Sequence, residues 1–121
     1  MGKTLLVMDD EVDFGDLVRR VAEGVGFEVT VISDPRDFKE TYNQLHPSKI
    51  VLDIVMPGMD GIEIVNWLVS VGNKASVVMV SGYTPHYIEA AELIANHQGD
   101  FPVTTLTKPI GLAELSAALE S

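Results

Sequence analysis

The sequence predicts an α/β domain built on a parallel sheet, and three observations carry that prediction. Short strand-like runs alternate five times with segments of helical periodicity. The first run, TLLVM at residues 4–8, is continuously apolar, as a strand covered on both faces is. Every connection is short, with no linker, low-complexity segment or repeat among them. Right-handed crossovers leave few topologies, and the first of these is a doubly wound five-stranded sheet of order 2-1-3-4-5.

The elements follow in order. After the strand at 4–8, residues 11–24 place Val12, Leu17, Val18 and Val21 on a helical stripe that ends near Gly24 and Gly26. FEVTVI (27–32) is a second, β-branched strand. Ser33 and Asp34 followed by Pro35 open the second helix as cap residues and a first-turn proline do. KIVLD (49–53) is the third strand. Asp60 caps a helix through Ile62, Val65, Leu68 and Val69, with Gly72 as its stop. SVVMVS (76–81) is the fourth strand, and a helix from Thr84 and Pro85 to about His97 follows. FPVTTLT (101–107) is the fifth strand, and Pro102 near its start places it at a sheet edge. GLAELSAALES is the last helix.

A chain of 121 residues suits one domain spanning 1–121, and 46% hydrophobic residues suffice for a core without staples. With no cysteine, disulfide and thiolate chemistry are excluded, which fits a reducing compartment. A net charge of -10 repels phosphate backbones, so direct nucleic-acid binding is not expected. No apolar run approaches the roughly 18 to 20 residues that span a bilayer. The amino-terminal MGKTLLVMDD is no signal peptide, and Leu6 stands where a myristoylation motif wants Ser or Thr. The expectation is a cytoplasmic protein with no membrane contact.

In such sheets ligands sit at the carboxyl ends of the strands, near the switch in strand order. There the first strand ends in Asp9, Asp10 and Glu11, the third in Asp53, the fourth in Ser81 and the fifth in Thr107, Lys108 and Pro109. Taken singly, most of these are ordinary: an acid caps a helix, a serine makes a turn, a lysine sits on the surface. Asp53 is harder to dismiss, because a buried strand seldom ends on an acid without a compensating partner. Clustered carboxylates repel one another and call for a cation, and a hard divalent ion such as Mg²⁺ fits oxygen ligands. A lysine and a hydroxyl opposite them suit the oxygens of a phosphoryl group, with a carboxylate as nucleophile giving an acyl phosphate.

Four separated motifs, VMDDE (7–11), VLDIVMPGMDG (51–61), VSG (80–82) and LTKP (106–109), lie in order on the predicted strands. With them the sequence resembles, over essentially its whole length, the receiver domain of two-component response regulators, chemotaxis-regulator-like members of the flavodoxin-like fold. The resemblance implies that Asp53 is the phosphoacceptor. It implies that Asp9 and Asp10, with Asp53 and the Val55 backbone carbonyl, hold Mg²⁺. It implies that Ser81 and Lys108 contact the phosphoryl group, with Lys108–Pro109 often cis in the family.

It further implies a phosphoryl donor, a histidine kinase or histidine phosphotransfer protein, and a downstream protein partner or fused output domain. The face formed by the fourth helix, fifth strand and fifth helix would change its affinity and is open to dimerisation. The domain would catalyse only its own phosphorylation and dephosphorylation and turn over no separate substrate. His46, His86 and His97 lie in no motif and are read as surface or packing residues, and Trp67 as packing or partner contact.

Two positions depart from the family pattern. Thr105 stands where an aromatic switch residue is usual, and Tyr83, just past Ser81, is the nearest candidate to replace it. Neither Val55 nor Tyr83 is an acid or amide suited to orienting a hydrolytic water, so a long-lived acyl phosphate is expected. Hydrolysis within seconds at neutral pH would contradict that. A flavodoxin-like module for FMN or another phosphate ligand would want a Gly/Ser/Thr-rich loop after the first strand, where this chain has three acids. A metal-dependent phosphatase usually spaces its two acids one residue apart, and here they are adjacent. Whether the chain is a stand-alone regulator or a receiver cut from a larger protein is left open by the residues.

Overall fold

The computed structural model describes residues 3–54, 61–82 and 85–120, without the side chains of 85–88. Five parallel strands, β1 (Thr4–Met8), β2 (Glu28–Ile32), β3 (Lys49–Asp53), β4 (Ser76–Ser81) and β5 (Val103–Thr107), form one sheet in the order β2-β1-β3-β4-β5. The helices are α1 (Val12–Gly24), α2 (Phe38–Leu45), α3 (Gly61–Ser70), α4 (Pro85–Gln98) and α5 (Leu112–Glu120). The doubly wound α/β class and the strand order are those expected, and β1, β3 and β4 have the bounds read from the sequence.

Alternation along the strands divides the core between the two faces of the sheet. Leu6, Met8, Ile50, Leu52, Val77 and Met79 point to the side holding Phe38 of α2, Ile64, Val65 and Leu68 of α3, and Ala91 and Ala95 of α4. Leu5, Val7, Val51, Val78, Val80 and Leu106 point to the side holding Val18 and Ala22 of α1 and Leu115, Ala118 and Leu119 of α5. β3 is buried along its whole length.

Four local expectations need correction. The α1 stripe is rotated: Gly15, Val18 and Ala22 are buried, while Val12 is 59% exposed at the helix start. Gly15 sits there because α1 approaches β2 closely; a β-carbon on it would lie 2.8 Å from Val31 Cγ1. The second helical segment opens as a 3-10 turn at Pro35–Asp37, capped by Asp34 accepting from the Arg36 N–H at 2.9 Å, and α2 begins only at Phe38. β2 begins at Glu28 rather than Phe27, because Phe27 turns into the core beside α1. β5 begins at Val103 rather than residue 101, because Phe101 is buried in the other core and Pro102 has no N–H for the ladder. The Pro102 carbonyl still accepts from Val77 N–H at 2.9 Å, and β5 is an edge strand, as Pro102 suggested.

Gly72 ends α3 with a φ of 70°, a left-handed conformation that glycine adopts readily. The Asp60 cap lies outside the described residues. His46 and His97 are exposed, and the His86 side chain lies outside the described residues. Trp67 is half-buried and meets Phe38 and Tyr42 edge-on at 6.1 and 5.2 Å between ring centres, so packing accounts for it.

Candidate functional site

β1, β3, β4 and β5 all end at one edge of the sheet, and their register sets the site. Met8 pairs with Leu52, Asp53 with Val80 and Ser81 with Thr107, so Asp9, Asp53, Ser81 and Lys108 leave the ladder at nearly one level. Two backbone bonds fix that level: Ile54 N–H to the Val80 carbonyl at 2.9 Å and Lys108 N–H to the Ser81 carbonyl at 2.8 Å. The Lys108–Pro109 peptide is cis.

Asp9, Asp10 and Asp53 come together here. Each offers a carboxylate oxygen within 4.8 Å of the others, with Asp9 and Asp53 buried and Asp10 exposed. Asp9 Oδ1 accepts from the Glu11 N–H at 2.8 Å, which aims the carboxylate into the cluster. Asp9 Oδ2 has no hydrogen bond; Lys108 Nζ is 3.0 Å away but off the hydrogen-bonding direction, so the contact is ionic. Burial pushes the Asp9 carboxyl up, and the Glu11 N–H and the Lys108 ammonium offset that only in part. Buried carboxylates at this spacing, one with an unsatisfied oxygen, are the donor set that a hard divalent cation takes.

Lys108 is the cation in the cluster, with its side chain 15% exposed. Its Nζ lies 2.5 Å from Glu11 Oε1, 3.0 Å from Asp9 Oδ2, 3.8 Å from Asp53 Oδ2 and 4.5 Å from the centre of the Phe14 ring. Burial alone would lower its pKa. The hydrogen bond to Glu11, the close contact with Asp9 and the charge of Asp53 outweigh burial and hold Lys108 above the usual lysine range. Ser81 is buried, and its Oγ has no hydrogen-bond partner among the described residues. A buried hydroxyl without a partner is an unmet donor at the very edge where an anion would arrive.

The expected residues Asp9, Asp10, Asp53, Ser81 and Lys108 therefore share one sheet edge. Thr105 is half-buried on β5, in register with Met79. Val55 and Tyr83 lie outside the described residues. Two contributors have no role in the sequence reading. Glu11 is the short partner of Lys108, and its signal was the third acid in a run of three. Gly61 opens α3 against the end of β3, donating its N–H to the Ile54 carbonyl at 2.7 Å. A β-carbon on it would lie 2.5 Å from Ile54 Cα and 2.8 Å from the Asp53 carbonyl oxygen, so no side chain fits.

The family model described as "Response regulator receiver domain" matches residues 5–120, and the chain belongs to that family. Such domains are phosphoacceptors of two-component signalling and catalyse only their own phosphorylation and dephosphorylation. Among curated relatives, the chain is 33% identical over 64 residues to the DNA-binding response regulator MtrA of Mycobacterium tuberculosis, covering 53% of this chain and 28% of the relative. It is 29% identical over 119 residues to the transcriptional regulatory protein FixJ of Bradyrhizobium diazoefficiens, covering 97% and 55%. Among solved structures, a response regulator from Colwellia psychrerythraea superposes with a TM-score of 0.81 at 29% identity, covering 99% of this chain and 95% of that one. The matched region thus spans 28% of the length of MtrA and 55% of that of FixJ.

Proposed function

We propose that Asp53 is the phosphoacceptor of this receiver, that Asp9 and Asp10 hold Mg²⁺ beside it, and that Ser81 and Lys108 receive the phosphoryl oxygens. The observation that carries the reading is the convergence of two buried carboxylates, a lysine ammonium and a buried hydroxyl lacking a partner at one sheet edge. A carboxylate oxygen of Asp53 attacks the phosphorus of a phosphohistidine on a histidine kinase or phosphotransfer protein. The P–N bond breaks as the P–O bond forms, the imidazole leaves with the electron pair of the broken bond and takes a proton, and Asp53 becomes an acyl phosphate. Asp9 and Asp10 would hold a divalent cation, which would supply positive charge to the phosphoryl oxygens. Lys108 stabilises the same oxygens from the other side, and the Ser81 hydroxyl donates to one of them. The Val55 carbonyl would complete the cation site, and Tyr83 and Thr105 would belong to the switch that reads the phosphorylated state.

Residues 1–121 act as one receiver unit in the cytoplasm; no helix among the described residues is long and apolar enough to cross a membrane. The responding face is α4, β5 and α5, through which a downstream protein, a fused output domain or a second copy is engaged. α4 and α5 each expose a large apolar side chain, Leu93 at 59% and Leu112 at 61%, which supports that reading. Phosphorylation shifts an equilibrium between two states by its differential affinity for them.

The assignment of Asp53 is tested by borohydride reduction of the phosphorylated protein, which converts an aspartyl phosphate to homoserine, followed by peptide mapping. Homoserine at position 53 is expected. Homoserine at position 9 or 10 instead would overturn the assignment.

A further inference from the structure

We propose that Glu11 is a positioning residue, a latch that holds Lys108 toward the rim of the site in the resting protein and competes for it with an arriving phosphoryl group. This rests on the reading of Asp53 and Lys108 given above. The ammonium lies 2.5 Å from Glu11 Oε1 and 3.8 Å from Asp53 Oδ2, so its hydrogen bond is to the rim of the site and its contact with the carboxylate at the centre is a longer ion pair. Asp9 Oδ2 at 3.0 Å and the Phe14 ring at 4.5 Å bound it on other sides. The contact with Asp53 is beyond hydrogen-bond range, so an arriving phosphoryl oxygen competes with the closer Glu11 carboxylate for the same ammonium.

Burial decides which partner gives way. Asp9 is fully buried, and leaving its carboxylate without a cation is costly. Glu11 is 64% exposed, and water replaces the lysine at its carboxylate at little cost. The Glu11 contact is therefore the reversible one, and it opposes the arriving anion twice. It competes for the same ammonium, and its own negative charge repels a phosphoryl dianion. Both effects have the same sign: removing the charge of Glu11 tightens the site for tetrahedral anions.

Glu11→Gln suits the test because the side chain is exposed and its two backbone bonds, from its N–H to Asp9 Oδ1 and from Gly15 N–H to its carbonyl, are untouched. Asp13→Asn is the comparison, removing one exposed charge from the first turn of the same helix. Two quantities are measured at saturating Mg²⁺: the dissociation constant for beryllofluoride, a tetrahedral phosphoryl mimic, by calorimetry, and the half-saturating acetyl phosphate concentration, separately from the plateau rate. Glu11→Gln is expected to lower both constants about three- to fivefold, while Asp13→Asn leaves them within about twofold. Equal values in the two variants, or weaker binding in Glu11→Gln, would overturn the latch. A wild-type protein that takes up neither beryllofluoride nor phosphate would overturn the underlying reading and the latch with it, an outcome distinct from a functioning wild type with an indifferent Glu11.

Discussion

At the scale of single residues, the site depends on groups that do no chemistry. Gly61 is the clearest. It packs against the backbone on which Asp53 is mounted, with no room for a β-carbon beside Ile54 Cα or the Asp53 carbonyl. Gly61→Ala is expected to push the end of β3 aside, lowering stability by about 1–3 kcal/mol. It should also slow phosphorylation about tenfold to a hundredfold, since Asp53, the proposed nucleophile, is misplaced. Gly15→Ala is the matching control: it meets Val31 Cγ1 at 2.8 Å, between α1 and β2, and should lower the unfolding midpoint without slowing phosphorylation. Equal phosphorylation rates in the two variants, compared at a temperature where both are folded, would remove Gly61 from the site. Neither this close approach nor the Glu11–Lys108 pair was legible in the sequence. Both depend on contacts between residues that only the folded sheet brings together, 97 positions apart for the pair.

At the scale of elements, what could be read and what could not divides along physical lines. β1, β3 and β4 are inner strands, and their buried runs mark their own limits. The edge strands β2 and β5 were read too long, because Phe27 and Phe101 are as apolar as strand residues but turn into the core. The stripe of α1 was misplaced because Gly15 and Ala22, small residues at a close contact, carry the buried face in place of Val12. The connection from α3 to β4 holds a polar device that pattern reading does not detect. Buried Asn73 accepts at Oδ1 from the Tyr42 hydroxyl at 2.8 Å and from Ala75 N–H at 3.0 Å, and donates from Nδ2 to the Ala75 carbonyl at 3.0 Å. It ties α2 to the start of β4 at the end of the sheet away from the acids. Asn73→Ala should cost about 2–3 kcal/mol in a denaturant titration, because it leaves buried backbone groups without partners. Phosphorylation below the melting range should be unchanged, and a loss of phosphorylation there would show that this anchor reaches the site.

At the scale of the whole molecule, the parallel sheet brings the groups of the candidate site to one end because all five strands point the same way. The ends of β1, β3, β4 and β5 supply carboxylates, a hydroxyl and a lysine, while the opposite ends carry structural contacts such as buried Lys49 Nζ donating to the Ala118 carbonyl of α5 at 3.0 Å. With a net charge of -10, the chain gathers carboxylates around the partly buried ammonium of Lys108, and added positive charge favours an anion joining that cluster. Phosphate uptake is therefore expected to require both a divalent cation and Asp53. Intact-protein mass after incubation with acetyl phosphate, with and without Mg²⁺, on wild type and Asp53→Ala, tests it most directly. A gain of one phosphoryl group is expected in wild type with Mg²⁺ and in no other sample; an equal gain without Mg²⁺ or in Asp53→Ala, or none in any sample, would rule that requirement out.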